Sequence, residues 1–339
     1  MGYPPGRHLS DRGRRAGQGP VGLKRVAPGR IHDDQQQIRR HGGQCSLGRM
    51  ADPRGPSTSS EPRHLVVVVL DSLRYDTWIE AAPNALAQLG EVERRWSYAS
   101  WTAPSHYNLL MGLLPHTSPP EVYASEYYKR DFSRYAERLG VPGIEFKSML
   151  PSIFLPTYLK HSLGYMTQAL VSMPVLNPHT PINRDFDTYE LMPTHNDMAA
   201  MLPKLRLEHD RPGFSLLNVG ETHYPYAIPG EDPEVWPRIS GVHGVFRRLD
   251  ERGDDQPHPA EPREFFDEAG MRELRERQVR AVEYLDAVFA RLFDLLPSNT
   301  WVIVTSDHGE LFGEDRHFGH GPVMHEKVFE VPFVEGVVP

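Results

Sequence analysis

The fold is decided by the segment His64-Leu-Val-Val-Val-Val-Leu-Asp71-Ser-Leu-Arg-Tyr-Asp76. Six apolar residues, four of them consecutive valines, run directly into an aspartate. Such a run is too short to span a membrane and is typical of a β-strand that is buried on both faces. In a parallel α/β sheet, ligands bind where the strands end at their carboxyl edge. Asp71 is therefore a candidate functional residue, although an aspartate at a strand end can also cap a helix.

The chain of 339 residues is long enough for one large α/β domain or two small ones. Its net charge of −8 is unevenly distributed. Residues 1–60 carry 11 Lys and Arg against 4 Asp and Glu, whereas the remaining 279 residues carry 26 against 41. An acidic body argues against general nucleic-acid binding and suits a protein that holds cations.

Residues 1–62 are rich in Gly, Pro, Arg, Gln and Ser and show no helical or strand periodicity, so we expect a disordered basic extension. It is either an arm for an anionic partner or, as we favour, a non-functional extension, one form of which is an over-long start with Met50 as the initiator. The single cysteine, Cys45, excludes an intramolecular disulfide and a cysteine-based metal site. No apolar segment approaches the roughly 18 residues of a membrane span, and no signal-peptide core is visible. We therefore expect a cytoplasmic protein.

Beyond residue 62, predicted strands alternate with predicted helices. The strands are expected at 64–70, 95–99, 166–171, 214–219 and 301–305, and the helices at 83–89, 124–139, 155–163, 196–207 and 264–296. This alternation predicts an α/β fold with a mostly parallel central sheet flanked by helices.

The segment Ser100-Trp-Thr102-Ala-Pro-Ser105-His-Tyr-Asn108 precedes an apolar run. A turn-forming Ala-Pro-Ser before apolar residues predicts a loop that leads into a helix N-terminus, where free backbone N–H groups favour an anion. Alternatively, Thr102 or Ser105 serves only as the helix N-cap.

Three predicted buried strands end in acid or imidazole side chains, namely Asp71, then Glu221 with His223, then Asp307 with His308. Three such ends on one chain predict convergence on a shared cation. Mixed carboxylate and imidazole ligands fit Zn²⁺ or Mn²⁺, and a carboxylate-dominated site would also suit Ca²⁺ or Mg²⁺. Near such an ion, a hydroxyl such as that of Thr102 becomes a nucleophile at neutral pH.

Four sets of motifs, in this order, resemble the alkaline phosphatase/sulfatase superfamily and most closely a sulfatase-type N-terminal domain. They are Asp71-Ser-Leu-Arg-Tyr-Asp76, Thr102-Ala-Pro-Ser-His-Tyr107 with Met111-Gly-Leu-Leu-Pro-His116, Thr305-Ser-Asp-His-Gly-Glu310, and Gly319-His-Gly321 with Val331-Pro-Phe333. The resemblance covers residues 63–339 and implies a catalytic domain with the superfamily's three-layer α/β sandwich.

The resemblance also implies roles for individual residues. The residues that match the metal ligands of the family are Asp71, Asp307 and His308, and Thr102 matches the nucleophile that also contacts the metal. His320 matches a histidine that binds a second metal or the substrate anion, and His223 resembles a histidine near the substrate oxygens. His106 stands where the family has an arginine, so it either binds substrate or braces the helix. Glu221 is a weaker candidate for a second-metal ligand, because a buried glutamate can also be purely structural.

The sequence departs from the sulfatase pattern at the nucleophile. Sulfatases convert a cysteine or serine within Cys/Ser-x-Pro-x-Arg to formylglycine, and threonine, here Thr102, cannot give the aldehyde. Thr-x-Pro-x-His-Tyr is instead similar to nucleotide pyrophosphatase/phosphodiesterases and phosphoethanolamine-transferase-like relatives. The frequent double aspartate of the family is Asp71-Ser72 here, and the chain ends at Pro339, where many relatives continue into a smaller C-terminal subdomain.

These features predict a hydrolase or transferase of phosphate (di)esters that uses one or two divalent ions and a small anionic ester substrate. In the expected mechanism, Thr102 Oγ1 attacks phosphorus in line as a metal-stabilised alkoxide and forms a phosphothreonine. The alternatives are a sulfatase, and a non-catalytic metal-binding member of the superfamily.

Overall fold

The structure, a computed structural model, describes residues 63–117, 133–144, 154–207, 210–237, 268–321 and 323–338. The predicted extension at 1–62 and the first part of the predicted helix at 124–139 lie outside these residues.

Seven strands form the central sheet, in the order β2-β9-β6-β1-β5-β3-β4, and β7 pairs with β8 in a separate ribbon. The strands are β1 (His64–Leu70), β2 (Glu93–Trp96), β3 (Met166–Val171), β4 (Thr188–Leu191), β5 (Gly213–Val219), β6 (Thr300–Thr305), β7 (Leu311–Phe312), β8 (Phe318–Gly319) and β9 (Glu330–Val337). The valine-rich β1 lies at the centre of the sheet between β5 and β6, and it is buried along its whole length. The interpretation of this segment as the central buried strand is confirmed.

The sheet is mostly parallel. Strands β6, β1, β5, β3 and β4 run in one direction, and β9 is antiparallel to both β6 and β2. The predicted α/β class with a mostly parallel sheet is confirmed. The strand at Glu330–Val337, which contains Pro332 and Gly336, was not predicted from the sequence.

Six α-helices are found among the described residues: α1 (Tyr75–Ala81), α2 (Thr102–Leu110), α3 (133–139), α4 (Leu155–Leu163), α5 (Glu268–Leu295) and α6 (Glu326–Phe329). The helices predicted at 83–89 and at 196–207 are present as shorter 3-10 helical turns, at Leu86–Gln88 and Met198–Lys204. The second turn includes Pro203, which has no N–H to extend an α-helical ladder. No described helix is both long and apolar enough to cross a membrane.

Helices cover both faces of the sheet because the side chains of β1 alternate between two apolar cores. Val66 and Val68 face a core that includes α5 residues such as Val282 and Phe289. The other valines of β1 face a second core, which includes residues of α2, α3 and α4. This layering leaves the carboxyl edge of the sheet as the place for polar side chains.

Candidate active site

Strand register brings two aspartates together at the carboxyl edge of the sheet. Val69 of β1 pairs with Thr305 of β6 in a parallel ladder, and Asp71 and Asp307 each follow two residues later. Both carboxylates are buried, and so is the imidazole of His308. One ligand atom from each of these three side chains lies within 4.8 Å of the other two.

The backbone after β1 bends sharply to allow this approach. Ser72 has a φ of 62°, which places a non-glycine residue in the left-handed region. In this conformation the Ser72 N–H donates to Asp307 Oδ1 at 3.1 Å, and its hydroxyl donates to Asp71 Oδ1 at 3.3 Å. The residue that replaces the family's second aspartate thus connects the two carboxylates.

Asn218, near the end of β5, fixes the other oxygen of Asp71. Its Nδ2 donates to Asp71 Oδ2 at 2.9 Å, and its Oδ1 accepts from the N–H groups of Ser172 and Met173 at 3.2 and 3.0 Å. Sequence reasoning missed Asn218, although an amide within the apolar run Phe214–Val219 was the available signal.

Helix α2 presents Thr102 to this cluster. The helix begins at Thr102, and the preceding Trp101 makes no side-chain capping bond, so neither Thr102 nor Ser105 is the N-cap. The Thr102 hydroxyl instead lies 3.4 Å from Asp71 Oδ1 and 3.4 Å from His308 Nε2. Thr102 is buried, so its hydroxyl is directed at the acids and the imidazole and away from bulk water.

The hydrogen bonding of His308 leaves one nitrogen for a ligand. Its Nδ1 lies 2.9 Å from the Gly309 carbonyl, which can only accept, so the proton resides on Nδ1. The lone pair of Nε2 then faces the carboxylates, 3.5 Å from Asp307 Oδ2 and 3.9 Å from Asp71 Oδ1. Burial, together with the neighbouring His320, holds the pKa of His308 well below its ordinary range. A neutral imidazole with a free Nε2 is the form that binds a metal ion.

The two aspartates have opposite pKa shifts. Burial and the charge of Asp71 raise the pKa of Asp307 well above its ordinary value. Burial also raises the pKa of Asp71, but the imidazoles of His223, His308 and His106 and the Asn218 amide outweigh it and bring the value below the ordinary one. The two groups are therefore not equivalent: burial beside Asp71 favours the neutral form of Asp307, whereas the surroundings of Asp71 favour its charged form.

The three side chains fit a divalent cation. Within the described part of the chain, no group donates a hydrogen bond to the buried Asp307 Oδ2. Two carboxylates and a neutral imidazole form the mixed oxygen and nitrogen donor set that Zn²⁺ and Mn²⁺ accept. The predicted ligands Asp71, Asp307 and His308 are therefore brought together, and Thr102 lies beside them.

His106 lies on α2 one turn beyond Thr102. Its Nδ1 donates to the Thr102 carbonyl at 2.9 Å and lies 3.6 Å from Asp307 Oδ2. Burial lowers the pKa of this imidazole. The structure places His106 as a brace for the helix turn that carries Thr102, and its predicted contact with substrate stays a prediction.

His320 and His223 form a second group next to His308. The His320 ring centroid is 4.2 Å from that of His308 and 5.3 Å from that of His223. Glu310 Oε1 lies 3.2 Å from His320 Nδ1, and the Tyr226 hydroxyl donates to Glu310 Oε2. Burial lowers the pKa of His320, but Glu310 outweighs this effect and raises it above the ordinary value. Sequence reasoning gave no role to Glu310 or Tyr226, although Glu310 belongs to the same motif as His308.

Glu221 lies apart from the three clustered ligands. Its Oε1 accepts from the Met198 N–H at 2.7 Å, and within the described residues its buried Oε2 has no hydrogen-bond partner. Burial raises the pKa of Glu221 to about 8. This environment favours the structural interpretation of Glu221, as a neutral acid at the end of β5.

The fold and this site define the class: an α/β protein with a mostly parallel central sheet and a candidate metal centre at the carboxyl edge of its strands. The sulfatase family model matches residues 63–334, so the chain belongs to the sulfatase family. None of the curated proteins matches this chain in sequence.

Several solved structures are similar to this chain. The C-terminal periplasmic domain of EptC from Escherichia coli, in complex with Zn, is 16% identical over 83% of this chain and 74% of that domain, with a TM-score of 0.49. The soluble domain of lipooligosaccharide phosphoethanolamine transferase A from Neisseria meningitidis is 13% identical over 82% and 78%, with a TM-score of 0.46. BT1596, a 2-O GAG sulfatase, is 14% identical over 82% and 64%, with a TM-score of 0.45. At these levels of similarity, membership rests on the family model.

Proposed function

We propose that this protein is a metal-dependent hydrolase or transferase of phosphate (di)esters in which Thr102 is the nucleophile. The observation that carries the proposal is the Thr102 hydroxyl, which lies 3.4 Å from both Asp71 Oδ1 and His308 Nε2. The identity of the nucleophile supports phosphate over sulfate esters, because threonine cannot form the aldehyde that sulfatases require. The substrate would be a small anionic ester.

In this proposal Asp71, Asp307 and His308 hold one divalent cation. When bound there, the cation would lower the pKa of the Thr102 hydroxyl and offset negative charge on the ester oxygens. His320 and His223 lie beside this group and would contact the non-bridging oxygens, with Glu310 holding the His320 ring by its Nδ1.

The proposed reaction has two steps. In the first, Thr102 Oγ1 attacks phosphorus in line, the bond from phosphorus to the leaving oxygen breaks, and the leaving oxygen takes the electron pair. The hydroxyl proton would already have been lost to solvent, since a cation bound at Asp71, Asp307 and His308 would lower the pKa of the Thr102 hydroxyl. In the second step, the oxygen of water (hydrolysis) or of an acceptor alcohol (transfer) forms a bond to phosphorus and releases its proton to solvent. The bond from phosphorus to Thr102 Oγ1 breaks, and Oγ1 takes the electron pair.

The test compares wild type with Thr102→Ala and Thr102→Ser. The substrates are p-nitrophenyl phosphate, bis(p-nitrophenyl) phosphate and p-nitrophenyl sulfate, each with Zn²⁺ or Mn²⁺. We expect turnover of a phosphate ester by wild type, background rates for Thr102→Ala at unchanged metal content, and partial activity for Thr102→Ser, which keeps a hydroxyl. Acid quenching followed by mass spectrometry should locate phosphate on the Thr102 peptide. Undiminished activity of Thr102→Ala would exclude the proposed nucleophile.

A non-catalytic, metal-binding role is the second candidate. It is favoured by Ser72, which stands where relatives have another acidic ligand and leaves three clustered ligands among the described residues. Bound metal without turnover of any of the three esters would support this candidate. Release of sulfate alone would instead support a sulfatase that acts without formylglycine.

A further inference from the structure

Gln278, in the middle of α5, contacts both loops that border the candidate metal centre. Its side chain is completely buried. Its Nε2 donates to the carbonyl of Ser72 at 3.0 Å and to that of Thr222 at 2.9 Å. Its Oε1 accepts from the Thr77 hydroxyl at 2.7 Å and from the Arg74 N–H at 3.4 Å. One amide thus joins the loop after β1, helix α1 and the loop after β5.

The chemistry of these contacts fixes the orientation of the amide. Both groups that face Nε2 are carbonyls, which only accept, and a backbone N–H and a hydroxyl face Oε1. An amide offers two hydrogens on nitrogen and two lone pairs on oxygen, and all four are used here. A carboxylate of the same shape could not serve both sides, because it has no hydrogen to donate.

The contacts of Gln278 flank Asp71. Ser72 is held in its left-handed conformation from two directions, with its N–H on Asp307 Oδ1 and its carbonyl on Gln278. Thr222 in turn donates its hydroxyl to the Asp71 carbonyl at 2.8 Å. The left-handed conformation is unfavourable for a non-glycine residue such as Ser72, so such contacts are needed to keep it.

We propose that Gln278 is a positioning residue of the metal centre. From α5 it fixes the loops after β1 and β5, so that Asp71 and Asp307 keep the separation that a shared cation requires. Gln278 itself does not contact the cation or the substrate. The inference rests on the proposed function, because it takes Asp71, Asp307 and His308 as the metal ligands.

The test measures Mn²⁺ affinity and hydrogen exchange for wild type and Gln278→Glu. Protein stripped with chelator is titrated with Mn²⁺, and free Mn²⁺ is counted by electron paramagnetic resonance. Removing a direct hydrogen-bond partner of a metal ligand typically weakens binding about 10- to 100-fold. Gln278 contacts the neighbours of Asp71 and not a ligand itself, so we expect a loss at the lower end, about 10-fold. In the metal-free protein, exchange should increase together in the peptides that contain Ser72 and Thr222. Gln278→Glu removes the two hydrogen bonds that Nε2 donates; if it fails to fold, Gln278→Met removes all four hydrogen bonds without burying a charge.

The matched control is Val288→Ala on the same helix. Val288 is buried in the apolar core ten residues further along α5, about 15 Å along the helix axis. This variant should lower the melting midpoint and leave Mn²⁺ affinity and exchange of the two loops unchanged. If Val288→Ala and Gln278→Glu lost the same Mn²⁺ affinity, Gln278 would only stabilise the fold in general, and the inference would be overturned.

The remaining outcomes separate this inference from the proposed function. If wild type and the Gln278 variants bind Mn²⁺ equally, the positioning role is wrong and the metal centre stands. If wild type binds no Mn²⁺, the proposed function is wrong. The hydrogen-exchange measurement alone then tests whether Gln278 connects the two loops. In that case a joint increase in both loops supports the bridging role of Gln278, and unchanged exchange refutes it.

Discussion

Replacing Glu221 with glutamine should remove a pH-dependent loss of stability. Glu221 is fully buried, and burial raises its pKa to about 8, against an ordinary value of 4.5 in the unfolded chain. Because the folded pKa is the higher one, the stabilising contribution is complete below pH 4.5 and is lost as the pH rises to 8. Glutamine has the same shape and does not ionise, so Glu221→Gln should escape this loss.

The magnitude follows from the distance between the two pKa values. Each pH unit between them changes the free energy of unfolding by about 1.4 kcal/mol, so wild type should lose about 3–4 kcal/mol relative to Glu221→Gln between pH 5 and pH 8. At pH 5 the two proteins should differ little, since Oε1 still accepts from the Met198 N–H in both.

Urea unfolding in the presence of chelator, at intervals from pH 5 to pH 8, provides the assay. The difference between the two proteins at each pH isolates Glu221, because all other titrating groups are shared. Glu283→Gln, at an exposed position of α5, is the control and should leave the pH profile unchanged. Parallel profiles for wild type and Glu221→Gln would refute the raised pKa. A large loss of Mn²⁺ affinity in Glu221→Gln would refute the structural role and restore Glu221 as a ligand candidate.

Two further substitutions separate stability from site geometry. Arg138→Met removes one of the two arginine partners of the buried Glu335 carboxylate, at 2.8 Å, but leaves the ion pair with Arg134 and the hydrogen bond from Trp301 Nε1. It should cost about 1.5–3 kcal/mol in urea unfolding, with Mn²⁺ affinity unchanged. If Arg138→Met lowered the free energy of unfolding no more than the exposed substitution Glu283→Gln, the stabilising role of this ion pair would be refuted. Gly309→Ala would place a Cβ 2.1 Å from the Lys327 carbonyl, so the backbone beside His308 must shift. We expect a loss of about 1–3 kcal/mol by thermal unfolding together with weakened Mn²⁺ binding, and unchanged binding would show that His308 tolerates the shift.

The sequence was sufficient for the central strand and for the meeting of Asp71 with Asp307. Both predictions depend on local patterns in the sequence. Apolar runs long enough to form strands stand just before Asp71 and Asp307. Parallel pairing of β1 with β6 then brings the two acids together. Asp71 and Asp307 each lie two residues beyond the pair Val69–Thr305, so they meet at the same edge of the sheet.

Strand β9 could not be predicted in the same way. It contains Pro332, which cannot donate a ladder hydrogen bond, and Gly336, which weakens strand propensity. Both residues nevertheless fit their surroundings in the fold. The Pro332 carbonyl accepts from the Thr305 hydroxyl at 2.8 Å, and a Cβ on Gly336 would lie 2.1 Å from the Leu89 carbonyl. Pro332 and Gly336 are therefore explained by tertiary contacts, and such contacts leave no periodic pattern in the sequence.

The polar residues around the site were missed for a related reason. Asn218 contacts Asp71 across 147 residues, and Tyr226 contacts Glu310 across 84 residues. Neither side chain has a local pattern that distinguishes it from an ordinary buried polar group. Their positions follow only from the order of strands in the sheet, which local periodicity does not specify.

The burial of apolar residues in β1 also explains how the fold tolerates the two buried acids Asp71 and Asp307. An ionised carboxylate taken out of water costs several kcal/mol even after the protein relaxes. Each fully buried valine or leucine contributes about 1.5–3 kcal/mol, and the six that precede Asp71 are all buried. The remaining cost is reduced locally, since Asp307 Oδ1 accepts from the backbone N–H groups of Ser72 and His308, and Asp71 accepts from the Asn218 amide. The apolar strand and the acid that ends it are therefore physically coupled: substitutions that shorten the valine run weaken the ability of the fold to hold its ligands.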